Sequence, residues 1–233
     1  RAPYRFLSLL LLVPQYGTLA LFPLLSKLAS ERAAALPAAY TLAIKLLLAL
    51  ALPICVGTLF VAPDLMLLLG GAQFLPDAGT ALRLLIWFLP FSYVNGLVQY
   101  VLIAAGLQRV ITPAFALTFA FNLGANLLFT PRYGFVSAAL ITVASEIVLL
   151  VPFLWALRRR VGPLPEAGIV LRPLLAATLM GGVAWAIQGG IAAQGLARVA
   201  PWIAVAAGGV IYLLALVVTG GVGATERRLA VRL

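Results

Sequence analysis

The sequence contains no histidine, a single cysteine and only six acidic residues among its 233. Without histidine it lacks the commonest general base and the commonest metal ligand, so a Ser/His or Cys/His catalytic pair is excluded. The one cysteine, Cys55, lies in an apolar run, and no disulfide framework can form within the chain. We therefore expect no enzyme, no cofactor and no metal site.

Charge is scarce as well: 9% of the residues are charged, whereas 64% are hydrophobic. A soluble domain of this size has about a quarter of its residues charged, so lipid must surround most of this chain. The net charge of +10 reflects the shortage of acids, and the bases lie at the ends of apolar segments and in short loops. The expected partner is a bilayer and not nucleic acid.

Apolar segments long enough to cross a bilayer, which needs about 20 helical residues, dominate the chain. The seven segments are approximately 4–26, 40–69, 79–105, 110–130, 134–157, 169–188 and 199–219. Their apolar runs are continuous rather than alternating, which predicts helices and argues against a membrane β-barrel. The sequence thus predicts an all-α, polytopic membrane bundle of about seven transmembrane helices. A shift towards glycine and alanine after Arg158–Arg160 divides it into residues 1–160, with five spans, and an appended helix pair in 161–233.

Basic residues in the loops predict the orientation. With the N-terminus outside, nine bases lie inside and three outside. The inner ones are Lys27, Arg32, Arg109, Arg158, Arg159, Arg160, Arg227, Arg228 and Arg232, and the outer ones are Arg1, Arg132 and Arg198. The positive-inside rule then predicts a cytoplasmic C-terminus in a multi-pass protein of the cell membrane.

Polar residues inside the spans are candidate functional positions, because each costs free energy in hydrocarbon. Thr118, Asn122 and Asn126 follow one another at four-residue spacing and form one stripe. The stripe either lines a cavity or joins packed helices by hydrogen bonds. Glu146 is the one acid deep in a span, about 16 Å from the start of its helix. It either couples transport to a cation or proton, or pairs with a base or amide of a neighbouring helix.

The span predicted at 79–105 carries a second polar set, with Arg83 and Trp87 one turn apart and Asn95 and Gln99 one turn apart. Arg83 and Asn95 lie about 120° apart on a straight helix and share a face only if Pro90 bends or unwinds it. Arg83 either binds an anionic ligand or extends to lipid headgroups. For Trp87 we expect packing or an interfacial position.

Two other bases, Arg5 and Lys45, lie near predicted helix ends, where extension to headgroups is the commoner role. Prolines interrupt several spans, namely Pro14, Pro53, Pro63, Pro90, Pro113 and Pro152. Such interruptions suit a protein that rearranges, and they also occur in static bundles.

Three stretches carry a family resemblance. The passage from Asn122 to Glu146 resembles the pattern N…N-x-x-x-x-P-x-x-G-x-x-(G/S)-A-A…T-x-x-S-E, residues 12–27 resemble P…(L/F)-P-x-L-S-(R/K), and residues 52–87 resemble L-P…G…A-L-(R/K)-x-L. These patterns are similar to those of polysaccharide flippases in the multidrug/oligosaccharidyl-lipid/polysaccharide exporter superfamily. The resemblance covers roughly residues 4–160.

The resemblance implies two six-helix lobes followed by two extra helices. On that basis the chain, which starts without methionine, is expected to be a fragment or processed product holding helices eight to fourteen, with the first lobe of the same polypeptide as its partner. The implied function is flipping of an undecaprenyl-diphosphate-linked oligosaccharide by alternating access. The implied substrate-binding residues are Arg83, Asn95, Gln99, Asn122, Asn126 and Arg5, with Glu146 as the coupling group.

Several alternatives remain open. A peptidoglycan-precursor flippase and a multidrug extruder share the same fold. A non-transporting membrane subunit of an envelope polysaccharide synthesis complex belongs to a different class.

Overall fold

The computed structural model describes residues 21–71, 73, 75–163, 167–193 and 199–218, and that part of the chain is helical without any strand. The elements are α1 from residue 21 to 31, a short 3-10 turn Ala33–Ala35, α2 Leu36–Gly70, α3 Asp77–Leu85, α4 Phe88–Ala104, α5 Gln108–Arg160, α6 Ala167–Ala193 and α7 Ala200–Val218. Within the described ranges, five stretches are long and apolar enough to cross a membrane: Ala33–Leu68, Asp77–Ala104, Gln108–Arg160, Gly168–Ile191 and Ala200–Val218. The predicted all-α membrane bundle is confirmed there. The span predicted at 4–26 falls mostly outside the described residues.

Helix α5 is folded back on itself at Gly134, whose φ of 62° and ψ of −146° are not helical. No atom would obstruct a side chain at this position, so the backbone conformation is what selects glycine. Phe115 and Phe153 meet edge to face with ring centroids 6.0 Å apart, whereas a straight helix would separate these positions by about 57 Å. The element is therefore a hairpin with an N-terminal arm, 108–133, and a C-terminal arm, 135–160. The two spans predicted at 110–130 and 134–157 are these two arms.

Helix α2 connects the two parts of the bundle. One part consists of α3, α4 and the α5 hairpin, in which α3 and α4 contact both α2 and α5. The other part consists of α6 and α7, which pack on each other and also contact α2. One apolar core is shared by side chains from several helices, among them Leu25, Tyr40, Leu97, Phe153, Met180 and Tyr212.

The α6–α7 pair approaches its neighbours closely through glycine. A Cβ atom on Gly181 would lie 3.1 Å from Val56 in α2, and one on Gly208 would lie 3.2 Å from the carbonyl oxygen of Met180. Lipid tails are as apolar as the side chains, so helices in a membrane associate through such close van der Waals contact rather than through a hydrophobic driving force.

The segment that follows α5 returns to the beginning of α2. The Tyr40 hydroxyl donates a hydrogen bond to the Pro163 carbonyl, and a Cβ on Gly162 would lie only 2.7 Å from the Pro37 ring. The start of α2 and the end of α5 therefore lie at the same end of the bundle, as the sequence predicts. That this end is cytoplasmic stays a prediction.

Candidate functional site

Asn95 in α4 and Glu146 in the C-terminal arm of α5 are joined directly. Asn95 Nδ2 donates to Glu146 Oε2 at 2.7 Å and to the Glu146 backbone carbonyl at 2.8 Å. Both acceptors are oxygens, which fixes the orientation of the amide because its own oxygen could occupy neither position. The Glu146 side chain itself is partly exposed. The sequence predicted either a coupling role for Glu146 or its pairing with a base or amide of a neighbouring helix. The structure shows the pairing with an amide, and this pairing is compatible with a coupling role.

The same amide leaves one atom unsatisfied. Asn95 is only 3% exposed, and its Oδ1 has no hydrogen-bond partner among the described residues. A buried polar atom without a partner costs about 1–3 kcal/mol. The pair therefore places a free acceptor next to a carboxyl group inside the bundle.

On the N-terminal arm of α5, hydrogen bonds connect the polar stripe from Asn122 through Asn126 to Thr130. Asn126 Nδ2 donates to the backbone oxygen of Asn122 at 2.9 Å and to its Oδ1 at 3.2 Å, and Thr130 Oγ1 donates to Asn126 Oδ1 at 2.8 Å. Asn122 Nδ2 donates across the hairpin to Ser145 Oγ at 2.8 Å. Thr118 donates back to the Ala114 carbonyl of its own helix. The stripe thus includes a hydrogen bond between packed helices.

Asn95, Asn122, Asn126, Ser145 and Glu146 form a polar layer inside the bundle, with the C-terminal arm of α5 at its centre. Ser145 and Glu146 are consecutive residues, about 100° apart around the helix, and one contacts the N-terminal arm while the other contacts α4. The Ser145 hydroxyl donates its own proton to the Ile141 carbonyl. Sequence reasoning missed Ser145 and Thr130 as contributors. The available signals were the position of Ser145 directly before Glu146 and that of Thr130 four residues after Asn126.

Arg83 lies apart from this layer. The predicted helix interruption exists, since α3 ends at Leu85 and α4 begins at Phe88. Arg83 is nevertheless exposed, and its Nε donates to the Leu59 carbonyl in α2 at 3.0 Å. The interruption therefore does not bring Arg83 into contact with Asn95. The guanidinium has a partner inside the protein.

The remaining candidates occupy varied positions. Gln99 is partly buried one turn after Asn95 on α4, and Trp87 is 37% exposed at the α3–α4 break. Arg5 lies outside the described residues.

The expectation for Lys45 was wrong. Helix α2 begins at Leu36 and not near residue 40, so Lys45 lies about 14 Å along the helix. It is only 7% exposed, because the neighbouring helices cover it. Its side chain is packed within the protein instead of extending over the surface to headgroups.

This membrane bundle has an interrupted helix, a helical hairpin and a polar layer in its apolar interior. Together these features give it the architecture of a membrane transporter. The comparisons give the family. Residues 16–206, most of the chain, match the family model described as Lipid II flippase MurJ, and the chain belongs to this family.

The fold is similar to a solved structure, the lipid II flippase MurJ in an inward closed conformation. The TM-score is 0.75 at 17% sequence identity, over 94% of this chain and 47% of that one. The chain therefore spans about half the length of that flippase. Among curated proteins, none matches the sequence.

The resemblance to lipid-linked-precursor flippases is confirmed, but the branch was wrong. The matched family is that of lipid II flippases, the peptidoglycan-precursor alternative, rather than the polysaccharide flippases. The motif residues explain why the sequence did not separate the two. Gly134 forms the turn of the hairpin, and Asn122 joins its two arms. The Asn122–Glu146 passage is therefore a signature of the helical hairpin and does not indicate which glycan is carried.

Proposed function

We propose that the polypeptide carrying this chain flips lipid II, the lipid-linked peptidoglycan precursor, across the cytoplasmic membrane. The match of residues 16–206 to the lipid II flippase family supports this substrate. In this proposal residues 1–160 form one lobe and residues 161–233 an appended helix pair. Alternating access moves one repeat against another around a central site, so the other lobe of the polypeptide is the required partner.

The polar layer is the proposed site of coupling, with Glu146 as the coupling group. The Asn95 amide donates two hydrogen bonds to Glu146, one to the side chain and one to the backbone, and so links α4 to α5. A cation that binds Oε2 competes with the amide for this oxygen, and a proton on the carboxyl group weakens the hydrogen bond because it removes the charge of the acceptor. Occupation of Glu146 would therefore loosen the contact between two helices, which is a physical route from ion binding to rearrangement.

Substrate contacts are proposed for Asn95, Asn122 and Asn126 on the polar layer, for Gln99 one turn further along α4, and for Arg83 and Arg5. Arg83 uses only Nε for the Leu59 carbonyl. Its two terminal nitrogens form a planar fork that suits a diphosphate, which a lysine could not grip in the same bidentate way.

The test is complementation of a strain depleted of its own lipid II flippase with the full-length polypeptide. The readout is lipid II accessible at the outer surface, with membrane levels of each variant measured in parallel. We expect the wild type to restore exposure and Glu146→Gln, which keeps the shape but removes the charge, to reduce it strongly. Gln108→Ala, at the exposed start of α5, is the matched control.

Two results would contradict the proposal. One is a wild-type protein at normal levels that leaves lipid II inaccessible while restoring export of another lipid-linked oligosaccharide. The other, which concerns the coupling role alone, is full activity of Glu146→Gln.

A further inference from the structure

Helix α2 contains two prolines in its interior, Pro53 and Pro63, and each frees a backbone carbonyl. Proline has no amide proton, so the carbonyl four residues earlier loses its usual helical donor. The freed carbonyls are those of Ala49 and Leu59. In a membrane interior an unsatisfied carbonyl is costly, and another group has to supply the donor.

A different helix supplies the donor in both cases. The Tyr212 hydroxyl of α7 donates to the Ala49 carbonyl at 2.7 Å, and Arg83 Nε of α3 donates to the Leu59 carbonyl at 3.0 Å. Tyr212 is 2% exposed, so little water can replace its hydroxyl. The two sites are ten residues, about 15 Å, apart along α2.

A related contact occurs at Pro90 in α4. Its i−4 carbonyl, that of Ile86, accepts a hydrogen bond from Cys55 Sγ at 3.2 Å. This carbonyl also accepts from the Leu89 amide, so the Cys55 contact supplements a donor instead of replacing one. At the two sites in α2, by contrast, the proline removes a donor and a side chain of another helix provides one.

We propose that Tyr212 of α7 and Arg83 of α3 are positioning residues. Each donates a hydrogen bond to a carbonyl that has lost its helical donor, Tyr212 at the Pro53 site and Arg83 at the Pro63 site. The two bonds fix the register of α7 and α3 against α2. The apolar contacts between α2, α6 and α7 hold the helices close together, but van der Waals contact is weakly directional and specifies their register less sharply. A hydrogen bond to one particular carbonyl is directional and allows a single register.

The Tyr212 site is tested by a double-mutant cycle on the purified full-length polypeptide in detergent. Tyr212→Phe removes only the hydroxyl and is expected to lower the midpoint of thermal unfolding by about 1–2 °C, because the entropy of unfolding grows with chain length. In a Pro53→Ala background the same change should have less than half that effect, because alanine restores the amide donor to Ala49. Tyr133→Phe, at a 58% exposed tyrosine, is the matched control and should leave the midpoint unchanged.

Equal shifts in the two backgrounds would overturn the assignment of Tyr212. If Tyr212→Phe does not accumulate in membranes, recovery of the protein by added Pro53→Ala supports the proposal, and failure to recover counts against it.

The Arg83 site allows a sharper test, because glutamine carries a nitrogen at the same distance along the side chain as arginine Nε. Arg83→Gln keeps a donor at that position while it removes the charge and the fork. Arg83→Met places a methyl group at that same position and has no donor. We expect Arg83→Met to lower the unfolding midpoint, Arg83→Gln to retain it, and Pro63→Ala to cancel the effect of Arg83→Met.

An equal shift for Arg83→Met and Arg83→Gln would overturn the positioning role. None of these measurements involves the substrate, so their failure is separate from failure of the proposed flippase activity. Lipid II exposure by Arg83→Gln then isolates the diphosphate contact: loss of exposure at an unchanged midpoint would assign the terminal nitrogens to the substrate.

Discussion

The two parts of the bundle that α2 connects are held together by different kinds of contact. In the part formed by α4 and α5, side-chain hydrogen bonds add to the apolar core: the Asn95 amide joins α4 to the Glu146 carboxyl group, and Asn122 joins the two arms of α5 through Ser145. Between α2, α6 and α7 the close contacts are made by glycine against apolar side chains or backbone. Tyr212 supplies a hydrogen bond to that second part.

The difference separates a part that can sense a ligand from a part that supports it. A hydrogen bond to a carboxyl group changes in strength when a cation or a proton arrives, whereas contact between a glycine and a methionine does not depend on charge. A ligand shifts a conformational equilibrium only through different affinities for the two states. We therefore expect ion dependence to arise from α4 and α5, and substrate dependence from these two helices together with Arg83, with α2, α6 and α7 as a support that does not respond to charge.

The largest effect is expected from Asn95→Leu. The substitution takes both donors away from Glu146 while leaving the carboxyl group in the bundle, at a cost of about 1–3 kcal/mol of unfolding free energy. Replacing both partners, in Asn95→Leu with Glu146→Leu, should recover most of that stability, because no polar group is then left unpaired. Both proteins should fail to flip lipid II. The measurements are unfolding midpoints in detergent and lipid II exposure in the depleted strain.

Gln99→Leu, one turn along α4 and partly buried, is the control for Asn95→Leu and should leave stability nearly unchanged. A double variant as unstable as the sum of the two single variants would show that Asn95 and Glu146 are not energetically coupled.

The apolar part is expected to respond to volume instead of polarity. Gly208→Ala would place a Cβ 3.1 Å from the Met180 side chain and 3.2 Å from its carbonyl oxygen. A backbone atom cannot move aside as a flexible side chain can, so we expect a loss of about 1–2 kcal/mol. The next residue gives the control: a Cβ on Gly209 would meet nothing within 4 Å, and Gly209→Ala should be neutral or stabilising by up to about 1 kcal/mol. Equal melting temperatures for the two variants would contradict the close approach of α6 and α7.

Composition and run length were enough to predict the membrane bundle and most of its spans. The hairpin was predictable from the turn at Pro131–Gly134, because glycine at a break between two apolar runs indicates a reversal. The stripe on α5 was predictable from four-residue spacing. In each case the signal is local, so the sequence contains it directly.

What sequence reasoning could not supply was the identity of partners across helices. Asn95 and Glu146 are 51 positions apart, and periodicity reports which face a residue occupies but not what meets it there. Tyr212 binds a backbone carbonyl, which has no side-chain signature. Lys45 was misplaced because a shift of four residues at the start of α2 moved it from the helix end into the interior, and element boundaries are the least reliable part of sequence-based assignment.

The smallest effect is expected from Asn122→Ala, within the polar part. Asn122 donates to the neutral Ser145 hydroxyl, and such a bond contributes about 0.5–1.5 kcal/mol net, less than one to a carboxylate. Asn126 would lose one acceptor but keep the backbone oxygen of residue 122. The variant should therefore flip lipid II more slowly without losing activity, and Ser145→Ala combined with it should add little, because both remove the same bond. Thr118→Ala is the matched control, since Thr118 bonds only its own helix among the described contacts. A loss of activity in Asn122→Ala as complete as in Asn95→Leu would mean that the arms of α5, and not the link between α4 and α5, control the cycle.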